Sequence, residues 1–575
     1  MLISKICQGL IIFPRNRSFQ SRGLGTFLCP KIFTLGLRRH FFKTYSIRIF
    51  MALRLELHKV IVFIFFVLFL GTGVFLVKDY GIPLDEAGQR AIGVLTIDYV
   101  VKGDQGLLQY GGRDHGPFFE VVLVLLEKGL HLADNIRAVH LMRHLATFLM
   151  FYVGVIFFYG LCKKIFHSWQ AGLWGALFLI LSPRIFADAF YNSKDIPCLS
   201  LFIISTYTLI NYLKNRTLVN AFIHALTSSV LIDIRIVGII IPFLTLLFVS
   251  IDVWLMYTAG TNLKKVFLSV FAYCFFLIVS TILFWPFLWA SPLKNFLYAL
   301  SSMSHFRLGL TVLYLGQYIK DFLLPWHYIP VWIAISTPLV YVMAFCIGYL
   351  RIIMLAGKNP AQFYRHHKSE LIIFLLISLP VLTVILMKSV VYDAWRQMFF
   401  VYPFFLIISL IGLRALWGFF RGKAGGIFIQ TILVFLIVFN LSRVVVFMMR
   451  NHPYQNVYFN SLAGRNMKEI KTRFDLDYWG LSFTKAFEHI VTHDSAPFIK
   501  IYVDGRHYVD GHPEVVPTGM LRAKDIERII FVNNAQEAKY FLSDYRWHKE
   551  EYPYKNEYYA VRVGGTPIAV VYRLQ

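Results

Sequence analysis

Charge is scarce in this sequence. Charged residues make up only 15% of the 575-residue chain, against about 25% in an average soluble domain. With 57% hydrophobic residues and a mean hydropathy of +0.59, the chain has too little polar surface to cover one apolar core. An ordinary soluble globular enzyme is excluded. Acid is scarcest of all: 32 Asp and Glu face 57 Lys and Arg, for a net charge of +25. Cysteine is sparse too. Cys7, Cys29, Cys162, Cys198, Cys274 and Cys346 form no CxxC pair, and most lie in or beside apolar runs. That composition excludes a disulfide framework and a thiolate metal site. No Walker A or GxGxxG loop is present, so no nucleotide cofactor is expected and an ATP-driven transporter is disfavoured. No internal repeat is visible. No basic stripe with interleaved aromatics occurs in a polar segment, so nucleic acid is not an expected partner.

What the chain has instead is a series of apolar runs of roughly 20 residues, each long enough to cross about 30 Å of hydrocarbon. Spans are expected near 58–77, 140–161, 170–187, 196–212, 218–232, 235–257, 266–286, 329–350, 371–388, 397–414 and 425–445. This is a polytopic α-helical membrane protein with about eleven transmembrane helices. Basic residues sit between runs, as Lys163-Lys164, Lys264-Lys265, Arg351, Lys358, Arg365, Arg421 and Lys423, which marks those loops as cytoplasmic. Two long segments, 78–138 and 290–328, then face the other side. In the first, FFEVVLVLLEKGLHLADNI is amphipathic and too short to span; it reads as an interfacial helix. Residues 1–56 carry nine basic residues between Lys5 and Arg48 and no acid before Glu56. They fit equally a transit peptide, a basic cytoplasmic tail, or a start set upstream of the true one at Met51. After the transmembrane part, 57–448, the texture changes. Residues 449–575 are polar and mixed, with strand-like stretches at 498–503, 527–532 and 558–574 and a helical pattern at 480–492. They predict a small α/β domain on the non-cytoplasmic side.

Charges at membrane edges are costly and tend to be functional. Those on the expected outer side are Asp85-Glu86, Asp114-His115 in GRDHGPF, Lys194-Asp195 in YNSKDIP, and Asp393 and Arg396 in VVYDAWRQ. Asp233 and Arg235 lie beside or between two hydrophobic runs, the first of them short, which leaves their side open. Clustered carboxylates can supply a general base and a divalent-metal ligand, and clustered Lys and Arg can hold a phosphate. Each has a plainer reading. A lone loop Asp or Lys is more often simply solvated, an Asp–Arg pair near a helix end is often a structural ion pair, and Asp114-His115-Gly116-Pro117 is also a turn sequence. His131, His140 and His144 have near-helical spacing in an interfacial setting, where metal ligation is the less frequent outcome.

Three features together resemble glycosyltransferase family 39, the polyprenyl-phosphate-dependent protein mannosyltransferase superfamily that includes aminoarabinose-transferase-like proteins. They are the acidic pair Asp85-Glu86 after the first span, YNSKDIP at 191–197 matching a pattern N-x-K-D-x-P, and a layout with IRIVG at 234–238 and an aromatic-basic loop before FFVYPF. HPYQNVYFN (452–460) and FDLDYWG (474–480) look like a subgroup's C-terminal domain. The likeness covers roughly 57–480. DEAGQR departs from members with Arg or Tyr sooner after the pair, which leaves the acceptor open, and the terminal domain does not look like a β-trefoil.

The resemblance implies a GT-C-like fold and an inverting transfer of a sugar from a polyprenyl-phosphate carrier. The acceptor would be a protein, lipid or glycan hydroxyl at the outer face of a membrane. That membrane would be a bacterial inner membrane, or alternatively a eukaryotic endomembrane or organelle membrane. It implies Asp85 as base, Glu86 and Asp195 as supporting acids or ligands of a divalent metal ion, and Lys194, Arg235 and Arg396 as donor-phosphate contacts. Asp114, His115 and Asp393 are further candidates. A secondary transporter or lipid-linked-sugar flippase is the competing class, and a non-catalytic assembly factor a third.

Overall fold

The computed structural model describes residues 57–305, 309–504 and 518–575. Residues 1–56, with their three readings above, lie outside the described residues. Two compact units divide the chain, Met1–Phe65 and Phe66–Gln575. Of the first only the start of helix Leu57–Asp79 is described, and all that follows concerns the second.

In hydrocarbon every backbone N–H and C=O must be satisfied within the segment, so apolar runs fold as helices. Among the described residues, nine are long and apolar enough to cross a membrane: Leu57–Asp79, Ile136–Phe166, Asp195–Lys214, Ile236–Thr258, Lys264–Phe284, Leu339–Lys358, Lys368–Leu386, Arg396–Phe420 and Gly426–Arg450. The protein is an integral membrane protein. The expected span 170–187 is instead a broken pair, Trp169–Ile180 and Pro183–Tyr191, bent by 72°. Pro183 brings no N–H to the ladder, and Ser182 at the break donates its hydroxyl to the Phe178 carbonyl at 2.7 Å. The run at 218–232 forms Leu218–Ile234, whose 17 residues reach only about 25 Å. This expected span is thus short of full thickness. The run at 329–350 breaks at Pro338 into Tyr328–Ser336 and Leu339–Lys358.

Burial orders the bundle. Asp195–Lys214 and Arg396–Phe420 are mostly enclosed, while Leu57–Asp79 and Gly426–Arg450 are mostly open. All nine residues of Pro183–Tyr191 are buried, including Arg184, which donates to the Tyr458 carbonyl at 3.4 Å and lies over the rings of Trp332 and Phe459. Helices Leu339–Lys358 and Arg396–Phe420 meet backbone to backbone. A Cβ on Gly348 would lie 2.0 Å from the Ile408 carbonyl oxygen, and one on Gly412 would lie 1.9 Å from that of Ala344. Segment 118–129, expected as an interfacial helix, is the 12-residue helix Phe118–Gly129.

A hairpin, β1 (Thr311–Tyr314) and β2 (Gln317–Lys320), turns through Leu315 and Gly316, both at positive φ as such two-residue turns require. Its Tyr314 bridges to Phe474. Five strands follow: β3 (Ile499–Val503), β4 (Ile529–Phe531), β5 (Tyr540–Ser543), β6 (Glu557–Val563) and β7 (Thr566–Arg573). They form one sheet in the order β4-β3-β5-β7-β6, with β3 parallel to β4 and β5 and the other pairs antiparallel. Helix Phe483–His493 matches the pattern read at 480–492. β5, a four-residue fully buried strand, was not visible as a periodic pattern.

Candidate active site

The charged motifs, scattered over 300 residues of sequence, meet at one end of the bundle. Asn192 starts the arrangement. Its Oδ1 accepts from the backbone N–H of Asp195 at 2.8 Å and of Lys194 at 3.3 Å, closing the start of helix Asp195–Lys214. Asp195 is thereby fixed at the helix mouth. One oxygen accepts from Arg235; the other accepts from Arg396 Nη1 at 3.4 Å and Asn192 Nδ2 at 3.1 Å. Arg235 comes from the break after Leu218–Ile234, so the short run puts IDIR on the Asp195 side.

Arg396 is the hub. Its Nη2 lies 3.2 Å from Asp85 and 3.3 Å from Asp393, and its guanidinium sits 4.7 Å from the Trp479 ring centroid and 5.1 Å from that of Tyr392. The Asp85 loop is held from the same side, because Leu84 N–H donates to the Trp479 carbonyl at 3.3 Å. Asp85 occupies the cap position of helix Glu86–Lys102, yet its side chain makes no capping hydrogen bond. It turns to Arg396 instead.

Exposure separates the carboxylates. The Asp85 side chain is 44% exposed, against 2% for Glu86, 2% for Asp195 and 5% for Asp393. Only Asp85 among them is open to solvent. Glu86, expected beside Asp85 as an acid or metal ligand, points elsewhere. Consecutive helical residues diverge, and Glu86 accepts from His140 at 2.9 Å, Arg143 at 3.0 Å and His144 at 3.2 Å. Burial opposes its charge, but His144 and His140 prevail and hold it well below the usual carboxylate range. Arg143 continues to Glu120 at 2.7 Å, which accepts from Ser193 at 2.5 Å, so Glu86 anchors the scaffold behind YNSKDIP.

Lys194 has a different character. No hydrogen bond or ion pair of its ammonium occurs among the described residues, and it is half-buried. Burial and then Arg235 push it down to about 7, although Asp195 pulls the other way. His115 faces this cation. Lys194, burial and Arg235, in that order, hold its imidazole well below its ordinary value and so neutral. Asp114 is buried, 3.6 Å from the His115 ring, outside the Arg396 cluster. The loop carrying both sits on Asp233: a Cβ on Gly116 would fall 1.1 Å from the Asp233 carbonyl oxygen.

No set of three His, Cys, Asp or Glu is placed to hold a metal ion among the described residues. The two carboxylates expected as ligands, Glu86 and Asp195, already have their oxygens bonded to Arg, His or Asn. The donor set does not fit a divalent ion. His140 and His144 serve Glu86, and His131 has no part in the cluster.

Arg546 was not a sequence candidate. It reaches Asp393 at 2.7 Å and donates to the Tyr478 carbonyl. Nothing in its surroundings, DYRWHKE, distinguishes it from a solvated arginine. Asp85, Asp195 and Asp393 thus face Arg235, Arg396 and Arg546, with Lys194 beside them.

No family model and no curated protein matches the chain. Solved structures do. ArnT from Cupriavidus metallidurans bound to undecaprenyl phosphate aligns at 13% identity over 88% of this chain and 97% of its own, with a TM-score of 0.44. The same protein in the apo state gives 12%, 89%, 98% and 0.44. An Archaeoglobus fulgidus oligosaccharyltransferase in the apo form gives 10%, 82%, 65% and 0.39. At that similarity no residue role passes from one chain to another, and function rests on the side chains themselves.

Proposed function

We propose that this protein is a GT-C-type glycosyltransferase that moves a sugar from a polyprenyl-phosphate carrier to a hydroxyl. The supporting observation is one open carboxylate, Asp85, set against a cluster of cations that includes Lys194, whose ammonium has no hydrogen-bond or ion-pair partner among the described residues. Such a reaction needs two things from the protein. The hydroxyl must lose its proton, and the phosphate leaving with the bonding electrons must be stabilised. Asp85 accepts the proton as the acceptor oxygen bonds to the anomeric carbon. The bond from that carbon to the phosphate oxygen breaks on the opposite face, inverting the centre. Lys194, Arg235 and Arg396 take up the charge on the departing lipid phosphate. Asp195 and Asp393 hold the arginines, and His115 stays neutral beside Lys194. The protein's own cations can meet the phosphate charge, so no step is assigned to a metal.

Helix Ile136–Phe166 brings His140 and Arg143 to the Glu86 scaffold near its start and carries Lys163 and Lys164 in its last turn, and Leu339–Lys358 also ends on a lysine. By the positive-inside rule the site and the C-terminal sheet then face away from the cytoplasm.

The test is transfer in purified membranes from labelled polyprenyl-phosphate sugars. Label is expected in an acceptor, dependent on the lipid-linked donor. Incorporation from a nucleotide sugar with no lipid-linked intermediate overturns the reading. Movement of the labelled lipid across the membrane without transfer marks a flippase instead.

A further inference from the structure

Four non-glycine residues at the edge of the site have left-handed backbones. Asp393 and Ala394 have φ of 54° and 62°; Tyr545 and Trp547, flanking Arg546, have φ of 61° and 63°. Such conformations are unfavourable for residues with a side chain and persist where surrounding contacts fix them. The two strained segments meet at the Arg546–Asp393 pair, 153 residues apart in sequence. The Arg546 loop is itself tied down, with Trp547 Nε1 donating to the Thr311 carbonyl at 2.6 Å.

The Arg546 guanidinium donates to Asp393 and to the Tyr478 carbonyl, and both lead to Arg396. Its Nη2 binds one oxygen of Asp393 at 2.7 Å, and the other oxygen of Asp393 binds Arg396 at 3.3 Å. Its Nη1 binds the Tyr478 carbonyl, next to Trp479, whose ring lies under Arg396 at 4.7 Å and whose carbonyl holds Leu84 at 3.3 Å. One guanidinium from the C-terminal sheet region therefore fixes both the carboxylate that aims Arg396 and the segment that holds the loop of Asp85. The pair is nearly shut from water, at 9% and 5% exposure.

We infer that Arg546 is a positioning residue: it sets the Arg396–Asp85 geometry on which transfer depends, so the C-terminal region completes the active site. This inference rests on the proposed function. Planar bidentate contacts of this kind are not reproduced by a lysine, whose single ammonium cannot serve both partners in the same way.

The experiment compares wild type, R546A, R546K, D393A and R546A/D393A in membranes, each normalised to protein amount. Misplacement of reacting groups by about 1 Å costs up to about 10²-fold. R546A is expected to lose about 10–10²-fold in kcat with a smaller change in donor KM, and R546K to recover part of that loss. The double variant is expected to be no worse than the poorer single one by more than about threefold, since both act through Arg396. Should R546A fail to accumulate, R546K decides: normal yield with reduced kcat supports the inference, and wild-type kcat overturns it. An active wild type with near-wild-type R546A kcat, or losses that multiply in the double variant, also overturns it. A wild type with no transfer from lipid-linked donor sinks the functional reading itself.

Discussion

Replacing Asp85 with asparagine separates chemistry from architecture. The amide keeps the shape of the carboxylate and can still accept from Arg396, but it cannot take a proton at working pH. Its structural cost is small. The side chain makes no capping hydrogen bond, so the usual cap loss of about 0.5–2 kcal/mol does not apply. The ion pair with Arg396 at 3.2 Å is 44% exposed on the aspartate side and so partly screened by solvent, and the buried arginine keeps Asp195 and Asp393 as partners. The variant is therefore expected to accumulate like wild type. Its rate is another matter. Loss of a general base costs about 10²–10⁴ in rate, or about 2.7–5.4 kcal/mol in barrier. The assay is turnover at saturating lipid-linked donor and acceptor, with protein quantified in the same membranes. Near-full turnover in a normally accumulating Asp85→Asn protein refutes the assignment. The next carboxylate, Asp195, is a weaker base candidate on geometry, because both its oxygens are already bonded.

Lys194 is charged below about 7 and loses its charge as pH climbs through that value. Donor kcat/KM is expected to fall above that pH, and Lys194→Arg, which stays charged, to move the fall upward; an identical profile in both proteins contradicts a phosphate contact. Gly116→Ala places a Cβ 1.1 Å from a backbone oxygen of Asp233, so loss of several kcal/mol and poor accumulation are expected. Normal yield and an unchanged Tm in detergent speak against that packing. Transfer is expected to survive exhaustive chelation, since Glu86 and Asp195 are committed to cationic partners; activity restored only by added divalent metal contradicts this.

Much of the site was legible because ionisable residues at membrane edges stand out against apolar sequence. Asp85, Lys194, Asp195, Arg235, Asp393 and Arg396 all belong to one neighbourhood. Adjacency misled for Glu86, since neighbours along a helix start point apart, and its partners His140 and His144 lie 54 and 58 residues away. Arg546 was invisible because a polar region is full of arginines and only tertiary contact singles one out. Helix counting suffered where Pro183 and Pro338 interrupt apolar runs, since hydropathy does not register a broken ladder. β5 escaped because four buried residues carry no alternation.

The broken helix has a consequence for biogenesis. Trp169–Ile180 has 12 residues and reaches about 18 Å, well short of the roughly 30 Å hydrocarbon. Its continuation, Pro183–Tyr191, carries Arg184 and Asp188, which lipid would not shelter. The groups that enclose Arg184 are Trp332, Tyr458 and Phe459, the tyrosine 274 residues later in the chain. During synthesis this segment is therefore expected to lack these partners until almost the whole transmembrane part has emerged. A chain truncated before residue 450 is then expected to insert its outer helices yet leave the Arg184 end of the bundle unassembled and exposed to quality-control proteases.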